Sequence, residues 1–394
     1  MHTIDRRQAR RFLLAKQGLI GPKRFSGKQG VLDYIGQAGC IQFDPVDVCG
    51  KNPELVLHAR VQGFTKPMLD SLLYRDRQLV DYFDKQLSIL PMSDWPHFAA
   101  TRQASRGHLD YHSDIPSACE AVKKIIRQRG PSSSADIELG QSIQWYWGNN
   151  TRMSRVALET LYYMGELMVH HKQGSNKVYA LAEDLLPREL LDAPDPCPDP
   201  FERLCWRIRR RIGSVGLLWD RNSDAFLGIG DYTAEGRRAA FAHLLARGEI
   251  LPVQVEGRAH PLYYLAEDEP LMQRIVEGER FRARTELIAP LDNLLWDRKL
   301  IQMLFGFSYQ WEVYTPVVQR KYGSYTLPIL RGERFVGRVQ LSCQRAQGVT
   351  RLDHLWLESG VRLNQELTAA LTRCFARLAA FNGCPELAGW PQTD

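Results

Sequence analysis

No uninterrupted apolar stretch in this 394-residue chain approaches the roughly 20 residues needed to span a bilayer. The basic opening Arg6, Arg7, Arg10 and Arg11 runs into Phe12-Leu13-Leu14, but Lys16 and Gln17 break that apolar run. This reads as an amphipathic helix and excludes a signal peptide. The eight cysteines include no C-x-x-C pair, which fits neither a zinc ribbon nor a disulfide framework and points to the reducing cytoplasm. There is no Walker A loop, no G-x-S-x-G elbow and no G-x-G-x-x-G fingerprint; Gly228-Ile229-Gly230 lacks the third glycine. No nucleotide cofactor is expected. His108 and His112 have helical metal-ligand spacing, yet no Glu stands between them at the zincin position and no third ligand follows. They read as surface histidines, and no metal or other cofactor is expected.

What the chain does have is a globular composition, 44% hydrophobic and 24% charged, at a length that calls for two to four domains. A net charge of +6 and a pI near 8.8 make a polyanion a plausible partner. The charge is clustered, at Arg207, Arg209, Arg210 and Arg211 and again at Lys123, Lys124, Arg127 and Arg129. Each cluster reads equally well as a solvated helix face.

A recurring unit organises the chain, helices followed by a hairpin with a Gly-rich, basic or polar tip. The first unit has helices near Gln8–Lys16, Lys28–Ala38 and Lys66–Tyr74, where Pro67 suits a first turn, and an extended stretch at Cys40–Val46. The second has a helix at Ser117–Arg129 and another at Met153–Gly165, with Val156, Leu158, Leu161 and Met164 at helical spacing. The apolar runs Leu167–Val169 and Val178–Ala180 then flank a basic loop that includes His170-His171, Lys172 and Lys177, where phosphate contact or plain solvation is expected. The third repeats the plan at Phe201–Ile212, Thr233–Arg247 and the hairpin Ile250–Val255 with Leu262–Leu265. Helix, helix, then a hairpin with a basic tip is the winged-helix order, in which one helix enters a groove and the wing touches phosphates. The last third turns to short β-branched and aromatic runs, Leu287–Leu295, Trp311–Val318, Tyr325–Leu330 and Val336–Leu341, closed by a helix at Leu363–Phe381. The expected fold is α+β: winged-helix domains over residues 1–112, 113–193 and 194–275, then a small antiparallel β-barrel or sheet domain over 276–394.

Gln42-Phe43-Asp44 is the candidate chemical site. It lies in the extended run before Pro45, which biases Asp44 toward extended geometry. In a strand, residues i and i+2 share a face, so Gln42 and Asp44 would point one way while Ile41 and Phe43 face the core. An amide beside a carboxylate on one strand can hold a water between them; an exposed polar strand edge is the plainer reading of the same spacing.

Beyond spacing, the chain resembles the YcaQ/AlkZ-like winged-helix DNA glycosylases over nearly its whole length. The residues that carry the match are Gln42-Phe43-Asp44, Leu55-Val56-Leu57, Leu72–Asp76, Leu90–Pro96, Ala289–Arg298 with its Asp292-Asn293-Leu294-Leu295-Trp296-Asp297-Arg298 run, Leu304–Phe307 and Leu327–Leu330. The resemblance implies three tandem winged helices plus a β-barrel, forming a concave DNA-binding surface. It implies hydrolysis of the glycosidic bond of N7-alkylated guanine, including bases joined in interstrand crosslinks. The family's catalytic motif is Gln, an apolar residue, then Gln or Asp, and Asp44 matches the YcaQ branch. Pro45 to Pro53 departs from the Glu-Arg-Ala-His-His-like stretch that this branch places after the motif, which bears on the substrate.

An N7-alkylated guanine is cationic and already a good leaving group, so the general acid of ordinary glycoside hydrolysis is not needed. The implied roles are Asp44 supporting an oxocarbenium-like sugar and activating water, and Gln42 holding that water. No lysine Schiff base is required, so a monofunctional enzyme is expected. A tethered, crosslinked base suits an open basic surface better than full flipping into a tight pocket. DNA contacts are expected from Arg152, Arg155, Lys172, Lys177, Arg258, Arg320 and Lys321, with double-stranded DNA as partner, no membrane, and a cytoplasmic monomer. The rival readings are a non-catalytic winged-helix regulator, which would dimerise on a palindrome, and a hydrolase of free nucleosides, which has no use for so large an array.

Overall fold

The computed structural model describes residues 1–140, 142–145, 149–230 and 232–390. The chain folds as two compact units, one built from Met1–Leu69, Phe83–Ile89 and the chain from Leu204, the other from Asp70–Tyr82 and Leu90–Arg203. The fold is mixed α+β. No helix among the described residues is long and apolar enough to cross a membrane, and all eight cysteines are free.

In the first unit, Asp5 caps the helix Arg6–Lys16 through a capping box with Gln8, and its apolar residues Phe12, Leu13 and Leu14 are fully buried. The segment before it, His2–Ile4, pairs in parallel with Val253–Val255, adding a third strand to the hairpin Ile250–Val255 and Leu262–Leu265. One core gathers Leu14, Ala59, Leu294, Leu330 and Phe335, with Phe307 stacked on Phe335 at 4.3 Å. Five strands make the C-terminal sheet in the order Thr285–Leu287, Thr326–Arg331, Arg334–Gln344, Val349–Leu357 and Glu386–Ala388. The first three pairings are antiparallel and the last is parallel. The helix Gln365–Phe381 closes the unit, its Asn364 side chain accepting the Leu367 N–H.

Two expected strands are corrected here. Of Leu287–Leu295 only Leu287 belongs to a strand; the rest is loop ending in a single turn at Asn293–Leu295, whose Leu294 N–H is taken by the Asp292 carboxylate. Trp311–Val318 is not a strand at all. The Glu312 carboxylate accepts from the backbone N–H groups of Lys321, Tyr322 and Gly323 at 3.0, 2.8 and 3.1 Å. That knot, with Pro316 inside the segment, satisfies the loop without a ladder.

The arginine cluster on the helix Pro200–Val215 is also corrected. It is not a solvated face: Arg207, Arg210 and Arg211 turn inward onto Asp84, at 2.8, 3.0 and 2.5 Å. The Asp84 and Arg211 side chains have no exposed surface. Only Arg209 stays outside, paired with Glu249 and Glu267. Positions i, i+3 and i+4 share one helix face, so three cations converge on one carboxylate. Gly228 lets the chain pass beside it, with a φ of 83° and no room for a side chain: a Cβ there would lie 2.0 Å from the Asp84 carbonyl oxygen. Gly228→Ala is expected to cost about 2–3 kcal/mol, read as a lower denaturant midpoint at unchanged slope; an unchanged midpoint would show that the loop yields freely.

In the second unit, the helices Ile115–Arg129 and Met153–Tyr163 precede the antiparallel hairpin Leu167–Gln173 and Asn176–Leu181, which turns at Gly174 with a φ of 65°. Val122 and Ile126 on the first helix and Val156, Leu158 and Leu161 on the second are buried, which is why the period of about 3.6 was readable.

Candidate active site

The motif's setting begins with a helix end. The helix Gly27–Ala38 stops at Gly39, whose φ of 74° reverses the chain. The strand Ile41–Gln42 then pairs antiparallel with Ile89 and Ser88. Phe43 extends the ladder by one bond, its N–H donating to the Leu87 carbonyl at 2.8 Å. There the strand ends, because Pro45 has no N–H to give. Asp44 instead accepts from the Val46 N–H at 2.9 Å, a local Asx turn. Ile41 is fully buried, while Gln42, Phe43 and Asp44 are partly buried.

Burial raises the Asp44 carboxyl above its ordinary value, against the lowering effect of the Val46 N–H. A partly desolvated carboxylate is poorly screened, and its field on a neighbouring cation is stronger than it would be in water. Gln42 contributes an unusual atom: its Oε1 is buried and has no hydrogen-bond partner among the described residues. A buried amide oxygen left unpaired costs roughly 1–3 kcal/mol, so the site keeps an acceptor ready at a price in stability.

The residues that hold this motif come from far along the chain. Asn52, at the start of the helix Asn52–Arg60, donates to the Gln42 carbonyl at 2.7 Å and accepts from the Leu291 N–H at 2.9 Å. Asn293 donates to the Cys40 carbonyl at 2.9 Å. Asp292 takes the Arg60 guanidinium two-pronged at 2.7 and 2.8 Å, both side chains fully buried. Trp296 Nε1 donates to the Leu291 carbonyl, and Asp297 caps the helix Arg298–Phe305. Within the Asp292–Arg298 run, Asn293 ties directly to Cys40, while Asp292 anchors the run to Arg60 and Asp297 starts the next helix. On the other side, the Tyr325 hydroxyl donates to the Gly50 carbonyl at 3.0 Å. Burial pushes that phenol far up, and Asp44 and Asp47 are among the charges that add to the shift. Asp47 accepts from the Gly50 N–H and pairs with Arg345 at 2.5 Å. Asn52 and Tyr325 carry no local signal that would have marked them as parts of a site.

Among the residues expected to touch DNA, Arg152, Arg155 and Lys177 line one cleft of about 440 Å³ in the second unit, together with Ser133, Ser134 and Glu159. Arg155 is exposed and paired with Glu159 at 2.9 Å. Burial pulls Lys177 down to about 8, with the Lys172 ammonium adding to it against Asp81. Lys172 itself is turned inward, its ammonium 2.7 Å from Asp81 and its side chain 8% exposed. Arg320 donates to the carbonyls of Thr315 and Val313, closing its own loop. Arg258 sits partly buried at the hairpin turn, and Lys321 is exposed.

The motif thus presents a partly buried carboxyl, raised by burial, and two residues before it a buried amide oxygen without a partner among the described residues. Residues 35–381 match the family model described as DNA glycosylase AlkZ-like, and the chain belongs to that family. It is thus a DNA-repair glycosylase by family, a hydrolase of N-glycosyl bonds whose substrate is DNA. The fold is similar to that of the DNA glycosylase AlkZ of Streptomyces sahachiroi, with a TM-score of 0.62 over 98% of this chain and 99% of that one, at 16% identity.

Proposed function

We propose that the protein releases N7-alkylated guanine from duplex DNA, including guanines tied into interstrand crosslinks, by direct attack of water. The observation that carries this reading is the buried Gln42 Oε1, without a partner among the described residues, two residues before the partly buried Asp44. Gln42 accepts a hydrogen bond from the attacking water. Asp44 takes that water's proton and supports the positive charge that develops on the sugar as the cationic base departs. The departing base leaves neutral, so no general acid is required. The helix–helix–hairpin segments at 115–181 and 200–265 act as winged helices, and Arg152, Arg155, Lys177, Arg258 and Lys321 meet phosphates, with Lys172 and Arg320 serving internally. The protein works as a cytoplasmic monomer.

The test is release of N7-methylguanine, or of one arm of a nitrogen-mustard crosslink, from a defined duplex. Free base with an intact abasic strand is the expected product. No release from either substrate with duplex binding intact would reduce the protein to a DNA binder. A borohydride-trapped protein–DNA adduct would replace attack by water with attack by an amine.

The rate should also depend on pH in a set direction. Catalysis needs the ionised carboxylate, and burial raises its pKa. The acid limb of single-turnover release is therefore expected above the ordinary aspartate value of about 4, with a plateau at higher pH. A limb at or below that value would mean that the group in control is not Asp44.

A further inference from the structure

The exposed face of the helix Gln365–Phe381 borders two hollows in the first unit, of about 940 and 660 Å³, which share Arg377 and Ala380 and so form one trough. Five arginines line the first hollow and two lysines the second, and no carboxylate lines either among the described residues. Small residues, Ala370, Ala376, Ala380 and Ala283, border it between the cations and leave it open.

Some of these cations are tethered. Arg284 and Arg377 reach Glu286 at 3.1 and 2.8 Å, and Arg331 pairs with Glu366. Arg282 and Arg373 are exposed and form no ion pair with any described residue. The crowding of like charge is felt at Lys23: burial, then Arg284 and Arg377 against the pull of Glu286, hold its ammonium down at about 8.

The trough runs up to the catalytic loop. Lys66, at its end, donates to Asn382 Oδ1 at 2.9 Å, and Asn382 Nδ2 donates to the Cys49 carbonyl at 2.9 Å, five residues beyond Asp44. A strand whose damaged nucleotide sits at Asp44 could enter the trough by its own backbone.

We infer that this trough carries the sugar–phosphate backbone of the substrate DNA to one side of the lesion, with Arg282 and Arg373 as its phosphate contacts. The inference rests on the glycosylase reading for its ligand, but undamaged duplex tests it without any chemistry. Each phosphate neutralised contributes about 0.9 to the slope of log affinity against log salt. The double variant Arg282→Ser/Arg373→Ser in the full chain should lower that slope by about 2 on an undamaged duplex, alike for different sequences. Neither side chain has a partner to lose among the described residues. In parallel, a photoreactive phenylalanine analogue at position 376, between these cations, should crosslink the DNA strand.

An unchanged slope would overturn the inference and leave an acidic protein partner as the occupant to seek. A reduced slope without a crosslink at 376 would also overturn it, since the loss would then be one of general charge. Failure of the glycosylase reading is seen separately, as absent base release by the wild type while the salt slope still responds to Arg282 and Arg373.

Discussion

Asp44→Asn is expected to lower single-turnover base release roughly 10³-fold while leaving the fold and duplex affinity nearly unchanged. The substitution keeps the side-chain shape, and an asparagine oxygen can still accept from the Val46 N–H that Asp44 now holds at 2.9 Å. What it removes is the charge, and burial has already stripped that charge of much of its screening. In water such a loss would cost little; in a partly desolvated site the same charge opposite a forming oxocarbenium ion is worth several times more. Gln42→Ala should be milder, roughly 10–10²-fold, because water can find another partner while the charge stays. An Asp44→Asn enzyme within tenfold of wild type would remove Asp44 from the chemistry. Equal losses for both variants would suggest that the pair acts as one unit.

Asp84→Asn should be the most destabilising polar substitution in the first unit, at about 3–5 kcal/mol. The three arginines that converge on Asp84 are nearly or fully buried, so losing the carboxylate's charge leaves them in a poorly solvated setting. Burial alone would raise the Asp84 pKa, but Arg211, Arg207 and Arg210 outweigh it and hold the carboxyl far below the carboxylate range. A folded-state value below the unfolded one stabilises the fold above the unfolded pKa, about 4. That stability drains only as pH falls below it, so the cost of Asp84→Asn should be constant from mildly acid to neutral pH. The loss should reach catalysis as well. Arg210 also donates to the Gly39 carbonyl and Arg211 to Cys40 Sγ, directly before the motif strand. Denaturant titration by two probes gives the stability, and base release of the fraction still folded gives the coupling. A cost under about 1 kcal/mol would mean that the arginines reach solvent once released.

The helices were the most legible part of the chain. Lys66–Tyr74 was readable to the residue, because Pro67 marks its first turn. The hairpin Ile250–Val255 and Leu262–Leu265 was readable because turn residues separate two apolar runs. Trp311–Val318 misled because aromatic and β-branched content reports a preference for packing, not a ladder, and the three N–H groups taken by Glu312 lie downstream of the segment. The strands Val349–Leu357 and Glu386–Ala388 escaped notice, the second being three residues long and paired only through tertiary contact. Nothing near His2–Ile4 foretells its pairing with Val253–Val255.

By itself the sequence determined the helices, the family and the two residues of the motif, because each of these is written in local spacing or in contiguous runs. The tertiary structure decided what those residues can do. Whether Arg211 meets solvent or Asp84, whether Lys172 meets phosphate or Asp81, and whether the Gln42 amide oxygen is satisfied all depend on partners brought from elsewhere in the chain. Periodicity senses which face of an element is apolar; it carries no information about which distant group that face will meet. A charge's effect is set by its burial and its neighbours, and those exist only once the chain has closed on itself.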